Sequence, residues 1–219
     1  MKIKVIRDIL EKNESSADLV REYCRDRHVF LMNILGSPGA GKTSFIQSMF
    51  KKLSGKIYVI EGDIASTIDA EKIALLGINV IQINTEGACH LIADTIIDAL
   101  QELNPEPGSL IFIENIGNLV CPASFDLGEN LRILVSSAAE GDDKPFKYPT
   151  TFTTVDLIVL SKSDVKEVIG FHDATYRQGL RNLDLESKLV EVSFRTGSGE
   201  IELATLLQSK IEAVLCSKG

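Results

Sequence analysis

The chain has 219 residues, 44% of them hydrophobic and 25% charged, enough for one well-buried core and unlike disordered or collagen-like sequences. Its net charge of −8 repels nucleic-acid backbones, so no nucleic-acid partner is expected and any phosphate binding falls to locally placed groups. No stretch approaches the roughly 18 to 20 uninterrupted apolar residues of a bilayer span, and charges run through residues 1–8 where a signal peptide is apolar. No membrane partner is expected, and the expected location is cytoplasmic. Cys24, Cys89, Cys121 and Cys216 are widely spread, which suits burial or metal binding better than a disulfide framework.

Residues 4–24 place Val5, Ile6, Ile9, Leu10, Ala17, Val20 and Cys24 at the spacings of one helical face. This predicts an N-terminal helix laid on the core, interrupted near residues 13–16. Cys24 falls on its apolar side as a small buried hydrophobe, and His28 reads as structural. The apolar run 29–35 has the pattern of a buried parallel strand. It ends in Gly36-Ser37-Pro38-Gly39-Ala40-Gly41-Lys42-Thr43, which meets every fixed position of the phosphate loop G-x-x-x-x-G-K-S/T. Residues 44–53 follow as a helix, so strand, loop and helix stand in the order such a loop needs. Backbone N–H groups and the helix N-terminus make the anion cradle. The expected nucleotide set is Gly36, Ser37, Gly39, Ala40, Gly41, Lys42, Thr43 and Ser44, with Lys42 charging the β/γ-phosphates and the Thr43 hydroxyl available to Mg²⁺.

A second short apolar run, 56–63, ends in acids. Asp63 then stands at the carboxyl end of a strand, the edge where open α/β sheets bind ligands, placed to hold a metal-bound or attacking water. Capping of a helix over residues 70–76 is the alternative role, preferred for Asp69. A strand over 78–83 precedes a helix over 88–103 with Leu91, Ile92, Ile96, Ile97 and Leu100 inward. Cys89 and His90 fall in its first turn, where a helix N-terminus favours thiolate. Thiolate and neutral imidazole are ligands that Zn²⁺ and Ni²⁺ both accept. A Cys-His dipeptide alone is more often buried than ligating, so a partner is required, and Cys121 is the candidate. The strand 109–114 runs into it: Glu114 ends the strand facing Mg²⁺ or water, Gly117 offers its N–H to a γ-phosphate, and Cys121 lies four residues further on.

The strand 131–136 precedes a polar segment, 139–149, too rich in turn residues for a helix; it reads as a nucleotide-responsive loop or as solvated surface. The strand 156–160 ends in Ser161-Lys162-Ser163-Asp164, close to the guanine-reading pattern N/T-K-x-D. Asp164 accepts from the two N–H groups on one edge of guanine and is left unpaired against adenine. Ser161 departs from the usual Asn or Thr. A helix over 173–183 and a strand over 188–192 lead to a loop, 193–197, that closes over the base with Phe194 and Arg195. The last helix, 201–215, turns Leu203, Leu206, Leu207, Ile211 and Val214 inward, and Cys216 and His172 read as incidental. Strands alternating with helices from residue 29 onward predict an α/β fold: a mainly parallel sheet with helices on both faces, of the P-loop NTPase type. One domain over residues 1–219 is expected, with 1–28 as a helical extension packed on it.

The combination of Glu61-Gly62-Asp63, Cys89-His90-Leu91, residues 114–123 (ENIGNLVCPA) and residues 140–145 (EGDDKP) resembles HypB, the family of nickel-inserting GTPases of nickel–iron hydrogenase maturation. The likeness runs over nearly the whole chain, and 114–123 is its most specific part. It implies a metallochaperone GTPase that hydrolyses GTP to GDP with Mg²⁺ held at Thr43, Asp63 and Glu114. It also implies a GTP-stabilised homodimer and partnership with a small zinc-containing nickel chaperone and a hydrogenase large-subunit precursor. Residues matching Cys89, His90 and Cys121 bind Ni²⁺ or Zn²⁺ at or near the dimer interface in such proteins, where a two-fold axis brings two copies of each ligand together. This chain has no His-rich tract or N-terminal Cys-rich motif, having three His in all. Asp94, four residues after His90, is a further candidate on the same predicted helical face, although an acid in a helix's first turns is commonplace. With no Gln or Arg finger in the motifs, slow intrinsic turnover is expected. A urease metallochaperone GTPase would carry Cys-Pro-His where Ala123 follows Cys121-Pro122, a P-loop kinase would not need Asp164, and a switch without a metal role would not need Cys121.

Overall fold

A computed structural model of the chain describes residues 2–63, 68–85 and 87–216, with side chains described outside residues 2–10 and 68–69. Its strands are β1 (Phe30–Leu35), β2 (Ile57–Asp63), β3 (Asn79–Asn84), β4 (Leu110–Glu114), β5 (Leu131–Ser137), β6 (Leu157–Ser161) and β7 (Leu189–Glu191). They form one sheet in the order β3-β2-β4-β1-β5-β6-β7, every pairing parallel. The helices are α1 (Lys2–Arg27), α2 (Lys42–Phe50), α3 (Ile68–Ala74), α4 (Ala93–Leu103), α5 (Lys144–Lys147), α6 (Pro149–Thr153), α7 (Asp173–Arg181) and α8 (Glu200–Leu215).

The period of two along each strand decides which helices cover which face. Phe30, Met32 and Ile34 of β1 join Phe112 of β4 and Val135 of β5 against α2, α3 and α8. Leu31, Ile111 and Ile113 point the other way, into α1 and α4. Further along that second face Leu35, Leu134 and Ile158 meet α6 and α7. Both faces are therefore covered, as an all-parallel sheet requires. Among the described residues no helix is long and apolar enough to cross a membrane.

Five expectations are corrected. α1 runs unbroken through residues 13–16: the Ser15 hydroxyl donates back to the Glu11 carbonyl at 3.2 Å, while Asn13 and Ser16 turn into the structure. α4 begins at Ala93 rather than residue 88, so Cys89 and His90 lie in the connection before it and Asp94 shares no helical face with His90. The segment 139–149 contains short helices, with Pro145 and Pro149 in the first turns of α5 and α6, where proline's fixed φ starts a helix and its missing N–H costs nothing. Val214, in the last turn of α8, is 38% exposed, at a small pocket it shares with Arg21, Cys24 and Arg25 of α1. Ile92, at the N-cap of α4, is only partly buried, whereas Ile97 packs against the core as expected. Cys24 is buried as expected, and burial pushes its thiol up to about 12. The expected cap by Asp69 concerns a side chain outside the described residues.

Candidate nucleotide site and the cysteine arms beside it

β1 has β4 on one side and β5 on the other, so the loop leaving its carboxyl end opens into the crevice where strand order reverses. Gly36, Gly39 and Gly41 all have positive φ. A Cβ on Gly36 would stand 2.5 Å from the Val135 carbonyl oxygen, so the neighbouring strand excludes any other residue there. Lys42 is buried, and its Nζ donates to the carbonyls of Gly36 at 3.1 Å and Ser37 at 3.2 Å, which holds its charge over the loop. The Ser37 hydroxyl donates to Glu140 Oε2 at 2.9 Å, tying the loop to the segment after β5. Thr43 Oγ1 donates to Glu114 Oε1 at 2.9 Å.

A cavity of about 650 Å³ is lined by Gly39, Lys42, Thr43, Asp63, Glu114 and Gly117, among others. The fold thus gathers the residues proposed for triphosphate and Mg²⁺ from three strand ends. Thr43, Asp63 and Glu114 are oxygen donors of the hard kind that Mg²⁺ takes. Gln47, Glu61 and Lys72 also line this cavity; no site role is expected of Gln47 or Lys72 from the sequence, and Glu61 enters there only within the Glu61-Gly62-Asp63 triplet. Glu61 had a signal: it lies two residues before Asp63 and so projects from the same face of β2, in register with Glu114 on β4. Lys72 had none, since only the packing of α3 brings it there.

A second cavity, about 310 Å³, adjoins the first and is lined by Ala40, Ser161, Asp164, Phe194 and Arg195, with Gly41, Ser44 and Lys162 shared between the two. Ser193 Oγ donates to Asp164 Oδ1 at 2.5 Å and Arg195 Nε to Oδ2 at 2.8 Å. Those two partners, Ser193 first, hold the carboxyl below its ordinary range. Lys162 adopts a left-handed conformation, φ 56°, and its Nζ donates to the Gly39 carbonyl at 2.8 Å. Ser161 is wholly buried and donates to the Ala40 carbonyl at 2.6 Å. The residue that departs from the guanine-reading pattern therefore braces the phosphate loop through its hydroxyl. Phe194 packs edge-on against Phe45 of α2.

The chain leaving β4 crosses the phosphate loop. A Cβ on Gly117 would meet Pro38 Cγ at 2.8 Å, and Asn118 forms an isolated antiparallel bridge with Gly36. Asn118 Oδ1 then accepts from the N–H groups of Val120 at 2.8 Å and Cys121 at 3.4 Å, starting the 3-10 turn Cys121–Ser124. The second arm, residues 87–92, brings Cys89 Sγ to 3.6 Å from His90 Nδ1. The His90 ring stacks on Phe125, centroids 3.7 Å apart, and burial lowers its basicity, which favours the neutral, ligating imidazole. The Cys89 thiol is raised, first by its neighbour Cys121 and then by burial, opposite to the direction expected in the first turn of a helix, which Cys89 precedes. Asp94 faces α1, where the Ser16 hydroxyl and, at 3.1 Å, Lys12 Nζ engage its carboxylate. Ser16 first, then Lys12, hold that carboxyl below its ordinary range. Cys89, His90 and Cys121 supply donors suited to Ni²⁺ or Zn²⁺, yet among the described residues no three His, Cys, Asp or Glu side chains are gathered to hold a metal ion.

A phosphate loop between β1 and α2, at the switch point of an all-parallel sheet, defines a P-loop nucleotide-binding protein. Residues 30–178 match the family model of the CobW/HypB/UreG nucleotide-binding domain. The chain is 43% identical over 199 residues to the hydrogenase maturation factor HypB of Rhizobium leguminosarum bv. viciae, covering 90% of this chain and 67% of that one. It is similar to the crystal structure of HypB from Helicobacter pylori in complex with nickel, at 32% identity and a TM-score of 0.86 over 95% of this chain and 99% of that one. HypB from Archaeoglobus fulgidus gives 34% identity and 0.85, over 92% and 100%. The chain belongs to the HypB family of hydrogenase maturation factors.

Proposed function

We propose that this chain is a Mg²⁺-dependent GTPase that carries Ni²⁺ or Zn²⁺ and promotes nickel insertion into a nickel–iron hydrogenase, acting as a nucleotide-dependent homodimer. The observation that carries the reading is the short tether between two chemistries: Gly117 packs on Pro38 of the phosphate loop, and Cys121, four residues on, neighbours Cys89. A displacement at the phosphate loop has little chain in which to dissipate before it reaches a thiol. The nickel complex of the Helicobacter pylori relative supports the choice of cargo.

In this reading the backbone of residues 36–44 cradles the phosphates, Lys42 neutralises charge developing on the β/γ-phosphates, and Asp164, Lys162, Phe194 and Arg195 hold the guanine. Thr43, Asp63 and Glu114 would hold Mg²⁺, which lends Lewis acidity to the phosphate oxygens. Asp63 and Glu114 orient the water that attacks the γ-phosphorus as the bond to the β–γ bridging oxygen breaks, yielding GDP and phosphate. Gly117 registers the γ-phosphate through its N–H. One chain brings Cys89, His90 and Cys121 only partly together, so a second copy completes the cargo site across a two-fold axis. A small zinc-containing nickel chaperone supplies the metal, and the hydrogenase large-subunit precursor receives it.

The test is a Ni²⁺ and Zn²⁺ titration of the nucleotide-free, GDP and GTP-analogue forms, with mass measured in parallel and with Cys121→Ala beside the unaltered chain. Affinity and mass should change with nucleotide, and Cys121→Ala should weaken metal binding. Nucleotide-independent affinity and mass would refute the switch.

A further inference from the structure

We propose that Asn13 of α1 is a positioning residue for the metal site, clamping the arm that carries Cys89 and His90 to the arm that carries Cys121. The inference rests on reading those three residues as the metal ligands. α4 has no side-chain cap of its own, with Ile92 at the N-cap position. Its first N–H, at Ala93, donates instead to Asn13 Oδ1 at 2.9 Å. The other end of the same amide, Nδ2, donates to the Asp126 carbonyl at 2.7 Å. Asn13 is 7% exposed, so both bonds sit where losing a partner is costly.

The two bonded positions flank the cysteines. Ala93 lies three residues after His90, and Asp126 directly follows Phe125, on which the His90 ring stacks. The arms are joined by the His90–Phe125 stack, made by residues within the arms, and by the Asn13 amide. The second comes from an element outside both, and it needs a donor and an acceptor on one short uncharged side chain, which Asn supplies. Neighbours on the same face of α1 fix its placement: Ser16 bonds Asp94, Arg21 pairs with the Asp126 carboxylate, and the Ala17 carbonyl packs so closely on Gly128 that a Cβ there would stand 2.4 Å away. Metal coordination tolerates only a few tenths of an ångström of ligand displacement, so a clamp at the roots of both arms acts directly on affinity.

The experiment is a Ni²⁺ titration of the whole chain, read by thiolate-to-nickel absorbance, with GDP affinity measured on each variant. Asn13→Ala should weaken Ni²⁺ binding by roughly tenfold, as removal of a ligand-positioning partner does, and leave GDP affinity unchanged. Asn13→Asp should weaken it as well: its carboxylate still accepts from Ala93 N–H and suits a helix N-terminus, but it has no donor for the Asp126 carbonyl. Tyr23→Phe removes the Tyr23 hydroxyl bond to the Leu100 carbonyl, 2.9 Å at the far end of α4, and should keep full Ni²⁺ affinity. If Asn13→Asp binds Ni²⁺ as the unaltered chain does, Asn13 is only a helix cap and the clamp is refuted. Equal losses in Asn13→Ala and Tyr23→Phe would refute it too, by showing a general effect of loosened α1 packing. If Cys121→Ala retains full Ni²⁺ binding, the ligand reading itself fails and the clamp falls with it, an outcome distinct from the other two.

Discussion

Asn33 and Asn115 meet side chain to side chain beneath the nucleotide cavity: Asn115 Nδ2 donates to Asn33 Oδ1 at 3.1 Å, and both are fully buried. Asn33 passes the connection on, its Nδ2 donating to Glu129 Oε1 at 3.0 Å. Glu129 is paired with Arg132, and Arg132 donates to the carbonyls of Ala123 at 3.4 Å and Phe125 at 3.1 Å. A polar chain thus runs from the residue after Glu114, through the central strand, to the arm that carries Cys121. Asn33→Ala should cost about 3 kcal/mol in denaturant unfolding, because it strands buried partners at both ends of its amide. A loss within about 0.5 kcal/mol, the scale of an ordinary surface change, would show that the bonds are not needed for stability.

Gly117→Ala tests the contact between the loop after β4 and the phosphate loop. The added methyl would meet Pro38 Cγ at 2.8 Å and its backbone nitrogen at 3.0 Å, and a proline ring on a tight loop cannot swing aside as a flexible side chain would. The chain still folds, since the clash lies at a loop surface. GTP turnover should fall by at least tenfold, about 1.4 kcal/mol of transition-state stabilisation, with GDP affinity retained. Phosphate release at the unaltered rate would show that Gly117 does not approach the reacting phosphate.

Local chemistry determines the features that are legible in the sequence. All seven strands are marked by apolar runs, and the phosphate loop by its glycines and lysine, because those signals are complete within ten residues. The start of α4 is not legible, since its first N–H is capped by Asn13, 80 residues earlier; without that partner the Cys89-His90 turn looks as helical as residues 93–103. The unbroken course of α1 through Asn13 is hidden for the same reason, its amide being spent on Ala93 and Asp126. Val214 shows the limit of periodicity: an apolar residue at helical spacing stays 38% exposed, because it meets α1 across a pocket. Ser161 reads as a weakened guanine motif until its hydroxyl is found on the Ala40 carbonyl.

Asp164 sets a pH expectation. Its carboxyl is depressed by Ser193 first and Arg195 next, so its charged form is favoured in the folded chain. The contribution of that charge is complete above the ordinary carboxylate value of about 3.9 and is lost only as pH falls through the lower folded value. GDP affinity should therefore show no Asp164-dependent loss between pH 7 and about pH 4. Ser193→Ala removes the leading cause of the depression and should move the acid limb of the profile upward. An unchanged limb, followed by fluorescence of a labelled GDP, would assign it to another group.

Ser161→Ala separates bracing from base selection. The Ser161 hydroxyl bonds the Ala40 carbonyl at 2.6 Å in a fully buried setting, and Lys162 makes a parallel tie to the Gly39 carbonyl, so the end of β6 holds two successive carbonyls of the phosphate loop. Removing the hydroxyl leaves a buried acceptor short of its donor, a cost of about 1–3 kcal/mol that falls on loop geometry. GDP and ADP both place their phosphates in that loop, so both should bind more weakly by a similar factor. The preference for GDP over ADP should stay intact, because Asp164 and its partners Ser193 and Arg195 are untouched. Asp164→Ala should do the opposite, collapsing the ratio of the two affinities while the weaker ADP binding barely moves. Calorimetric titration of both nucleotides on both variants decides it: a Ser161→Ala ratio that falls as far as the Asp164→Ala ratio would make Ser161 a base-reading residue after all.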